Sequence, residues 1–534
     1  MYQQLPFIEV TADPPSSWGG WEAICAELSL ALARHPKPKV VIAVECYHGT
    51  LDEVNFQELK QGLQPQASCH TASLFLESDT LFELVAKRMA NSPRSGKFTG
   101  LSIDDYFDPA KVQAIHESIA SIDQGAILIY GIGASKVCAP DLLIYADMSH
   151  WEIQQRLRRQ DTGNINLNNP HATFERKYEI AFFNDWPICS QLKRGIIGHC
   201  DYFLETNNWA RPKLATGQIV RQGLKQAVQQ PIKMAPFFDP ALWEALDVPS
   251  RPARKQAAMK HSFSCVPEED NLLFRFDGIL FEVPLLNLIF HQTENFLGSA
   301  IVQQFGAYLP IRFNFIDTND NQDTDFQINV VTQEIIDGLG CRYRQITGYY
   351  LLQAKPGATF QLGPPPDLHL PIWQVNELGI KPHDFIQVPN GIPYRAGKKL
   401  TAVQINTAPQ IFSRLVPHHE VEERLAKVHP GAMRPFQSEN GDHQGEETLS
   451  REIILLTRHW FTDASAFDTA GNINILLLVA GRAAVVESPE DRFQPFLARY
   501  GETIIVPAQI GAYRVRPLRT NPAKPHALLR ARIG

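Results

Sequence analysis

The sequence predicts an α/β fold followed by an all-β fold, and two changes of pattern along its 534 residues carry that expectation. From about residue 38 to 230, short apolar runs alternate with amphipathic stretches, the rhythm of a parallel sheet with helices on both faces. From about residue 272 onward, β-branched and aromatic runs are punctuated by Gly, Pro, Asn and Asp, which is the spacing of an antiparallel sandwich or jelly roll.

In the first part, strands are expected at 40–45, 72–77, 126–130 and 142–147, with helices between them at 52–61, 80–89 and 109–120. Residues 237–263 are irregular and polar, the composition of a linker. Beyond them, strands are expected at 272–276, 349–352, 358–362, 385–388 and 400–405. Residues 416–447 are rich in His, Glu, Gln, Gly and Asn and poor in apolar periodicity, so they read as a helix fragment plus a flexible connection. The last strands, at 474–479, 483–487, 503–507 and 512–515, are each bounded by turn residues. The domain plan is therefore 1–236 for the α/β part, 237–263 for the linker, 264–415 for one β domain, 416–447 for the connection and 448–534 for a second β domain.

Composition narrows the function classes. With 44% hydrophobic and 20% charged residues the chain can bury sizeable cores, and a net charge of -7 without a long Lys/Arg block offers nucleic acid no electrostatic footprint. No stretch approaches the ~20 apolar residues of a membrane span, and the first residues carry no basic segment followed by an apolar run, so a cytoplasmic protein without a membrane partner is expected. The eight cysteines are scattered with no C-x-x-C pair, which fits reduced thiols better than a zinc or redox site.

Three segments carry a family resemblance. They are Phe305-Gly-Ala-Tyr-Leu-Pro-Ile-Arg-Phe-Asn-Phe-Ile-Asp-Thr318, Gly348-Tyr-Tyr-Leu-Leu-Gln-Ala-Lys-Pro-Gly-Ala-Thr-Phe-Gln-Leu-Gly363 and Gly501-Glu-Thr-Ile-Ile-Val-Pro-Ala-Gln-Ile-Gly-Ala-Tyr-Arg514. Together they resemble class I mannose-6-phosphate isomerases, and look most like the bacterial subgroup in which a kinase-like α/β domain precedes cupin domains. The resemblance implies two cupin jelly rolls. For an active member it also implies a zinc ion that stabilises the enediolate formed as a proton moves between C1 and C2 of a sugar phosphate.

The family holds that zinc with a Gln-x-His-Pro strand, a glutamate in an Asp-Glu-Ser/Thr-Tyr-Tyr strand and a histidine in a Pro-x-Gly-Thr-x-His loop. Here Asp325-Phe-Gln-Ile-Asn-Val330 keeps the glutamine as Gln327 but places Asn329 at the histidine. Gln345-Ile-Thr-Gly-Tyr-Tyr350 places Thr347 at the glutamate, and Pro389-Asn-Gly-Ile-Pro-Tyr394 places Tyr394 at the second histidine. The family's Trp-Gly-Gly is reduced to a lone Trp243 without its glycines, and its helical insertion is nearly absent. Two amides, an alcohol and a phenol are uncharged at neutral pH, whereas zinc sites draw on imidazole, thiolate or carboxylate donors. No cofactor is expected, zinc entering only if the chain is an active isomerase with other ligands. His383, His418 and His419 are the nearby substitutes, with plain surface polarity as the alternative. Arg395, Lys398, Lys399 and Arg414 follow the loop, either to hold a phosphate or as a solvated turn.

The N-terminal part resembles a uridine-kinase-like P-loop fold in the order of its landmarks. Val40-Val-Ile-Ala-Val-Glu-Cys-Tyr-His-Gly-Thr-Leu-Asp52 stands in the place of the P-loop, followed by Ser102-Ile-Asp-Asp-Tyr-Phe-Asp-Pro109, and by Asp147 ahead of Arg156, Arg158 and Arg159. A working P-loop needs several glycines, a lysine and a Ser/Thr, and here only Gly49 and Thr50 remain, with Glu45 at the mouth. Asp104 and Asp105 are either a magnesium or base pair or a helix cap before Pro109, and the arginines either a phosphate site or a solvated helix face.

The function expected from these residues is a non-catalytic sugar-phosphate-binding or regulatory protein of isomerase ancestry. Its site would offer Gln327, Asn329, Thr347, Tyr349 and Tyr394 as hydrogen-bonding groups, with Lys398 or Arg414 on the phosphate of a small anionic ligand. A protein partner is the other candidate. The competing activities are mannose-6-phosphate isomerisation with atypical metal ligation and phosphoryl transfer by the N-terminal domain.

Overall fold

A computed structural model of the chain describes residues 7–50, 52–90, 99–234, 265–318, 323–324, 327–329, 346–363, 376–389, 392–407, 413–415, 436–437, 445–451, 453–518 and 525–534. They belong to two compact units, an α/β unit of Leu5–Ala227 with Glu268–Gln292, and a β unit built chiefly from Thr293–Gly534.

The α/β unit begins with β1 (Phe7–Val10), β2 (Ser17–Gly19), α1 (Trp21–Arg34), β3 (Lys39–Cys46), α2 (Asp52–Leu63) and β4 (Ala67–His70). Next come α3 (Ser78–Ala90), α4 (Pro109–Ala120), β5 (Gly125–Gly131), the single turn α5 (Ala134–Val137), β6 (Leu142–Asp147) and α6 (His150–Arg159). α7 (Phe174–Ile180), α8 (Trp186–Ile196), β7 (Tyr202–Glu205), β8 (Lys213–Thr216) and α9 (Gly217–Ala227) complete the first passage. The sheet order is β2-β8-β7-β6-β3-β5-β4, with β4, β5, β3, β6 and β7 parallel and the other two strands antiparallel. β3 is the middle one of the five parallel strands, and Val41, Ile42, Ala43 and Val44 are all apolar and all buried, as a strand covered on both faces requires. The chain leaves β3 toward β4 on one side and leaves β6 toward β7 on the other, so the crevice between the carboxyl ends of β3 and β6 is a topological switch point.

The strand expected at 72–77 is a 3₁₀ turn, Thr71–Leu74, preceded by β4. His70 Nδ1 accepts the Ala72 N–H at 3.2 Å and Ser73 Oγ donates to the His70 carbonyl at 2.7 Å, which tightens the chain into a turn. α4 begins where Asp108 caps it, accepting from Ala110 N at 2.9 Å, with Pro109 in the first turn where its missing N–H costs nothing.

After α9 and β9 (Ile232–Lys233), which lies in the β unit, the chain returns to the α/β unit as β10 (Asn271–Phe276), β11 (Ile279–Pro284) and α10 (Leu285–His291). β10 pairs antiparallel with β11 and parallel with β1. The strand expected at 272–276 thus exists, but not in the first β domain, because alternation reveals a strand without revealing which sheet receives it. Asp277 in the hairpin turn accepts from the N–H groups of Ala12 at 2.8 Å and Ser16 at 2.7 Å, tying the hairpin to the N-terminal segment.

The β unit holds two sandwiches, entered through α11 (Thr293–Leu297) and α12 (Ser299–Phe305). The first comprises β12 (Arg312–Thr318), β13 (Gln327–Asn329), β14 (Thr347–Ala354), β15 (Thr359–Leu362), β16 (Asn376–Gly379), β17 (Phe385–Val388), β18 (Pro393–Ala396), β19 (Leu400–Asn406), β20 (Ser413–Leu415) and β21 (Phe436–Gln437). Its pairings are nested: β15 with β16, β14 with β17, β13 with β18 and β12 with β19. A long antiparallel hairpin rolled into two sheets in this way is a jelly roll.

The second sandwich repeats the pattern with β22 (Gly445–Arg451), β23 (Ile454–Phe461), β24 (Ser465–Asp468), β25 (Asn474–Ala480), β26 (Ala483–Glu487), β27 (Phe496–Arg499), β28 (Thr503–Val506), β29 (Ala512–Pro517) and β30 (His526–Ile533). Here β26 pairs with β27, β25 with β28, β24 with β29 and β23 with β30. Residues 237–263 and most of 416–447 lie outside the described residues. Among the described residues, no helix is long and apolar enough to cross a membrane.

Glu45 is not at an open mouth. It is fully buried and accepts from Gly133 N at 2.6 Å, Ser135 N at 2.9 Å and Ser135 Oγ at 2.7 Å. Burial pushes its carboxyl up to about 7, against the pull of those hydrogen bonds. Because the folded value exceeds the unfolded one, the native state holds the extra proton between about pH 4.5 and 7, and the stability this supplies disappears as pH rises through that window. The stability advantage of wild type over Glu45→Gln should therefore shrink by roughly 3 kcal/mol from pH 4.5 to 7.5 in urea unfolding. A pH-independent difference would show that Glu45 does not titrate in this range.

Candidate functional site

In the first jelly roll, β19 lies between β12 and β14, and its register sets rows of side chains across one face. Arg312, Asn406 and Thr347 form one row, followed by Asn314, Gln404 and Tyr349, then by Ile316, Ala402 and Leu351. Tyr349, Leu351 and Ala402 share an apolar core with Phe360, Leu362, Tyr394 and Ala396 of the facing sheet, so these rows point into the sandwich.

The polar groups on this face form a directed chain. Gln404 Nε2 donates to the Tyr349 hydroxyl at 2.7 Å, that hydroxyl is hydrogen-bonded to Tyr394, and the Tyr394 hydroxyl donates to Gln327 Oε1 at 3.2 Å. The two tyrosine rings meet nearly edge to face at 5.9 Å, and Phe360 stacks parallel to Tyr394 at 6.4 Å. Burial, reinforced by Tyr394 alongside, holds the Tyr349 phenol well above its ordinary range, so it stays protonated at neutral pH.

One row further along, Thr347 and Asn406 are completely buried. Among the described residues, neither Nδ2 nor Oδ1 of Asn406 has a hydrogen-bond partner. Arg312, also buried, donates from Nη1 to the Thr407 carbonyl at 3.1 Å and from Nη2 to the Tyr308 hydroxyl at 2.7 Å.

Of the residues expected at the site, Gln327, Tyr349 and Tyr394 are joined directly and Thr347 shares their face. Asn329 and Arg414 lie on the paired strands β13 and β20, their backbones opposite Ser413 and Ile328. Lys398 is not brought to this row: it is exposed in the β18–β19 turn, at the opposite end of β19 from Asn406, with its N–H on Asp323 at 3.0 Å. Arg395 is held by Gln361 at 2.5 Å and Asp323 at 3.3 Å, one residue out of phase with the inward Tyr394. His383 bonds the Tyr350 hydroxyl at 3.0 Å, and Tyr350 alternates with Tyr349 onto the other face of β14. His418, His419 and Trp243 lie outside the described residues.

Arg312, Gln404 and Asn406 escaped the sequence expectation. The signal for Gln404 and Asn406 is present in Leu400-Thr-Ala-Val-Gln-Ile-Asn406, where polar residues replace apolar ones on the parity that Leu400 and Ala402 place inside.

Gln327, Thr347 and Tyr394 do not fit a zinc ion. They offer neutral oxygen donors and no imidazole, thiolate or carboxylate, and the Tyr394 hydroxyl is already committed to Gln327. Among the described residues, no group of three or more His, Cys, Asp and Glu side chains is placed to hold a metal.

In the α/β unit, the switch-point crevice is filled by the chain itself. Arg156 is buried, pairs with Glu152 at 2.9 Å and donates to the carbonyls of Gly49 at 2.9 Å, Thr206 at 2.9 Å and Asn207 at 3.1 Å. It is therefore not part of a solvated helix face. Gly49 adopts φ of 90°, and a Cβ there would lie 3.0 Å from Ile153, so the loop is packed tightly. The Thr50 hydroxyl is turned onto the Tyr47 carbonyl at 3.2 Å. Beneath the loop, Lys193 and Asp147 form a fully buried ion pair at 3.1 Å, with Lys193 also over the Tyr47 ring at 4.3 Å. Asp105 accepts from Ser102 N at 2.7 Å and Ser102 Oγ at 2.9 Å in a capping box, the structural alternative considered for this pair. Arg158 lies 4.1 Å from the Phe174 ring and Arg159 pairs with Asp161 at 2.8 Å.

Replacing Arg156 by Met should cost about 3 kcal/mol in chemical unfolding, because three buried carbonyls and Glu152 lose their donor together. A change below about 1 kcal/mol would mean that water replaces the guanidinium without penalty.

Residues 20–229, less than half of the chain, match the model of a domain of unknown function (DUF8485). A search of curated proteins finds none that matches. Among solved structures, a protein from Archaeoglobus fulgidus assigned as a mannosephosphate isomerase is similar at 15% identity over 50% of this chain and 85% of its own, with a TM-score of 0.37. Mannose 6-phosphate isomerase from Bacillus subtilis is similar at 14% identity over 43% of this chain and 79% of its own, TM-score 0.31. The apo form of the enzyme from Salmonella typhimurium is similar at 13% identity over 45% and 82%, TM-score 0.32.

Proposed function

We propose that this is a cytoplasmic protein whose first jelly roll binds a small polar anionic ligand, a sugar phosphate, without metal and without turning it over. The buried, unpartnered amide of Asn406 carries the assignment. A buried amide left without hydrogen bonds costs on the order of 1–3 kcal/mol per group, and a ligand that meets both its N–H and its C=O removes that cost. Thr347 beside it adds a hydroxyl, and Arg312 in the same row adds positive charge for a phosphate. The Gln404–Tyr349–Tyr394–Gln327 chain offers a rigid wall of oriented dipoles rather than a proton acceptor, since the Tyr349 phenol is held protonated. The choice of a sugar phosphate rests on the resemblance of residues 305–318 and 348–363 to the isomerases. The P-loop position of the α/β unit then takes no nucleotide, because Arg156 and Ile153 occupy the loop where its phosphates would sit in a P-loop fold.

Asn406→Leu should abolish binding of mannose 6-phosphate in calorimetry while leaving the protein as stable as wild type or about 1 kcal/mol more so. A variant destabilised by more than about 2 kcal/mol would instead assign the amide a structural role. A coupled assay for conversion of mannose 6-phosphate to fructose 6-phosphate should show no turnover. Turnover abolished by a chelator would replace this function with an isomerase that uses other ligands. Magnesium-ATP should leave the melting temperature unchanged, and a rise would reopen phosphoryl transfer.

A further inference from the structure

Next to the filled switch point, the α/β unit keeps an open cleft of about 680 Å³, within the size range of small-molecule sites. One wall is residues 72–78, immediately beyond the carboxyl end of β4, and the other is the loop 161–170 that follows α6. Open parallel sheets bind ligands outside the carboxyl ends of their strands, so the cleft lies on the side where such folds place their sites.

Its lining is rich in amides and hydroxyls, among them Asn166, Asn168, Asn169, Ser73, Ser78 and Thr162. The charged groups that reach it are neutralised within the protein. Lys111 Nζ lies 2.8 Å from Glu77 Oε1 and 2.9 Å from the Phe75 carbonyl, and Asp161 pairs with Arg159 at 2.8 Å. An ionic ligand would compete with these exposed pairs, whereas a neutral ligand with many hydroxyls meets donors and acceptors already in place.

The loop is also built to stay open. Asn164 and Asn169 bond each other reciprocally, with Asn164 N to Asn169 Oδ1 and Asn169 Nδ2 to Asn164 Oδ1 both at 2.9 Å. Asn164 is anchored from below by Asp185 at 2.6 Å, and Asn166 Nδ2 reaches the Leu76 carbonyl at 3.3 Å, joining the two walls. Asn168 remains exposed. A polar wall held by a buried network limits the ordering entropy that binding must overcome.

We infer that this cleft is a second ligand site, for a neutral polyhydroxylated molecule such as an unphosphorylated monosaccharide or cyclitol. It lies in the α/β unit and is independent of the jelly-roll site. Titration of the full chain with D-mannose, D-glucose and myo-inositol, followed by saturation-transfer NMR and calorimetry, tests it. At least one probe should bind with Kd of about 1 mM or tighter. Asn168→Ala, an exposed substitution at a residue with φ of 48° and so checked for folding by circular dichroism, should weaken that binding about tenfold or more, and Asn406→Leu should leave it unchanged. No binding of any probe by about 10 mM, or equal binding by Asn168→Ala, would overturn the inference. So would mannose 6-phosphate binding more tightly than mannose with a dependence on Asn168, because the ligand would then be anionic. The jelly-roll function fails separately, through Asn406→Leu and mannose 6-phosphate.

Discussion

The register of β19 against β12 and β14 is the constraint from which the candidate site follows. Side chains alternate across a strand, so a slip of one residue would turn Gln404 and Asn406 outward and bring Val403 and Ile405 in their place. The nested pairing of the jelly roll fixes that register from both ends. β12 and β19 close the long hairpin, and Thr318 Oγ1 clamps its end by donating to the Gly397 carbonyl at 2.6 Å. With the register set, three neighbouring strands deliver a guanidinium, an amide and a hydroxyl into one row without any loop having to position them.

The same fold packs its second jelly roll with Leu476, Leu478, Leu528, Val486 and Val515 on the inward parity. On the same parity it also buries Asn474, Tyr513 and Arg530, with Asn474 Nδ2 donating to the Tyr513 hydroxyl at 3.2 Å, so both sandwiches hold polar groups inside and differ in which ones.

The fold was legible where patterns are local. The apolar runs of β3, β5 and β6 and the Asp108-Pro109 start of α4 sit where periodicity and capping place them. β4 was not legible, because Ala-Ser-Cys-His is short and polar and its strand character comes only from pairing with β5. The allegiance of β10 was hidden for a similar reason, since its partner β1 is more than 250 residues earlier. Family spacing named Gln327, Thr347, Tyr349 and Tyr394, which the fold brings onto facing inward positions. It did not find Arg312, Gln404 or Asn406, which are recognisable only when inward parity is counted along β12 and β19. Lys398 was drawn in by nearness in sequence, but four residues of extended chain carry it to the far end of the strand.

The return of residues 268–292 to the α/β unit bears on how the chain is made. β9 in the β unit pairs with β28, and β10 completes a sheet begun by β1, so neither unit is a continuous stretch of chain. During synthesis the α/β unit stays unfinished until α10 has left the ribosome, and the edge of β28 receives β9 only after the second jelly roll exists. A nascent chain of this design carries exposed strand edges for most of its translation, a period in which chaperones matter more than they do for a protein whose domains follow one another in order.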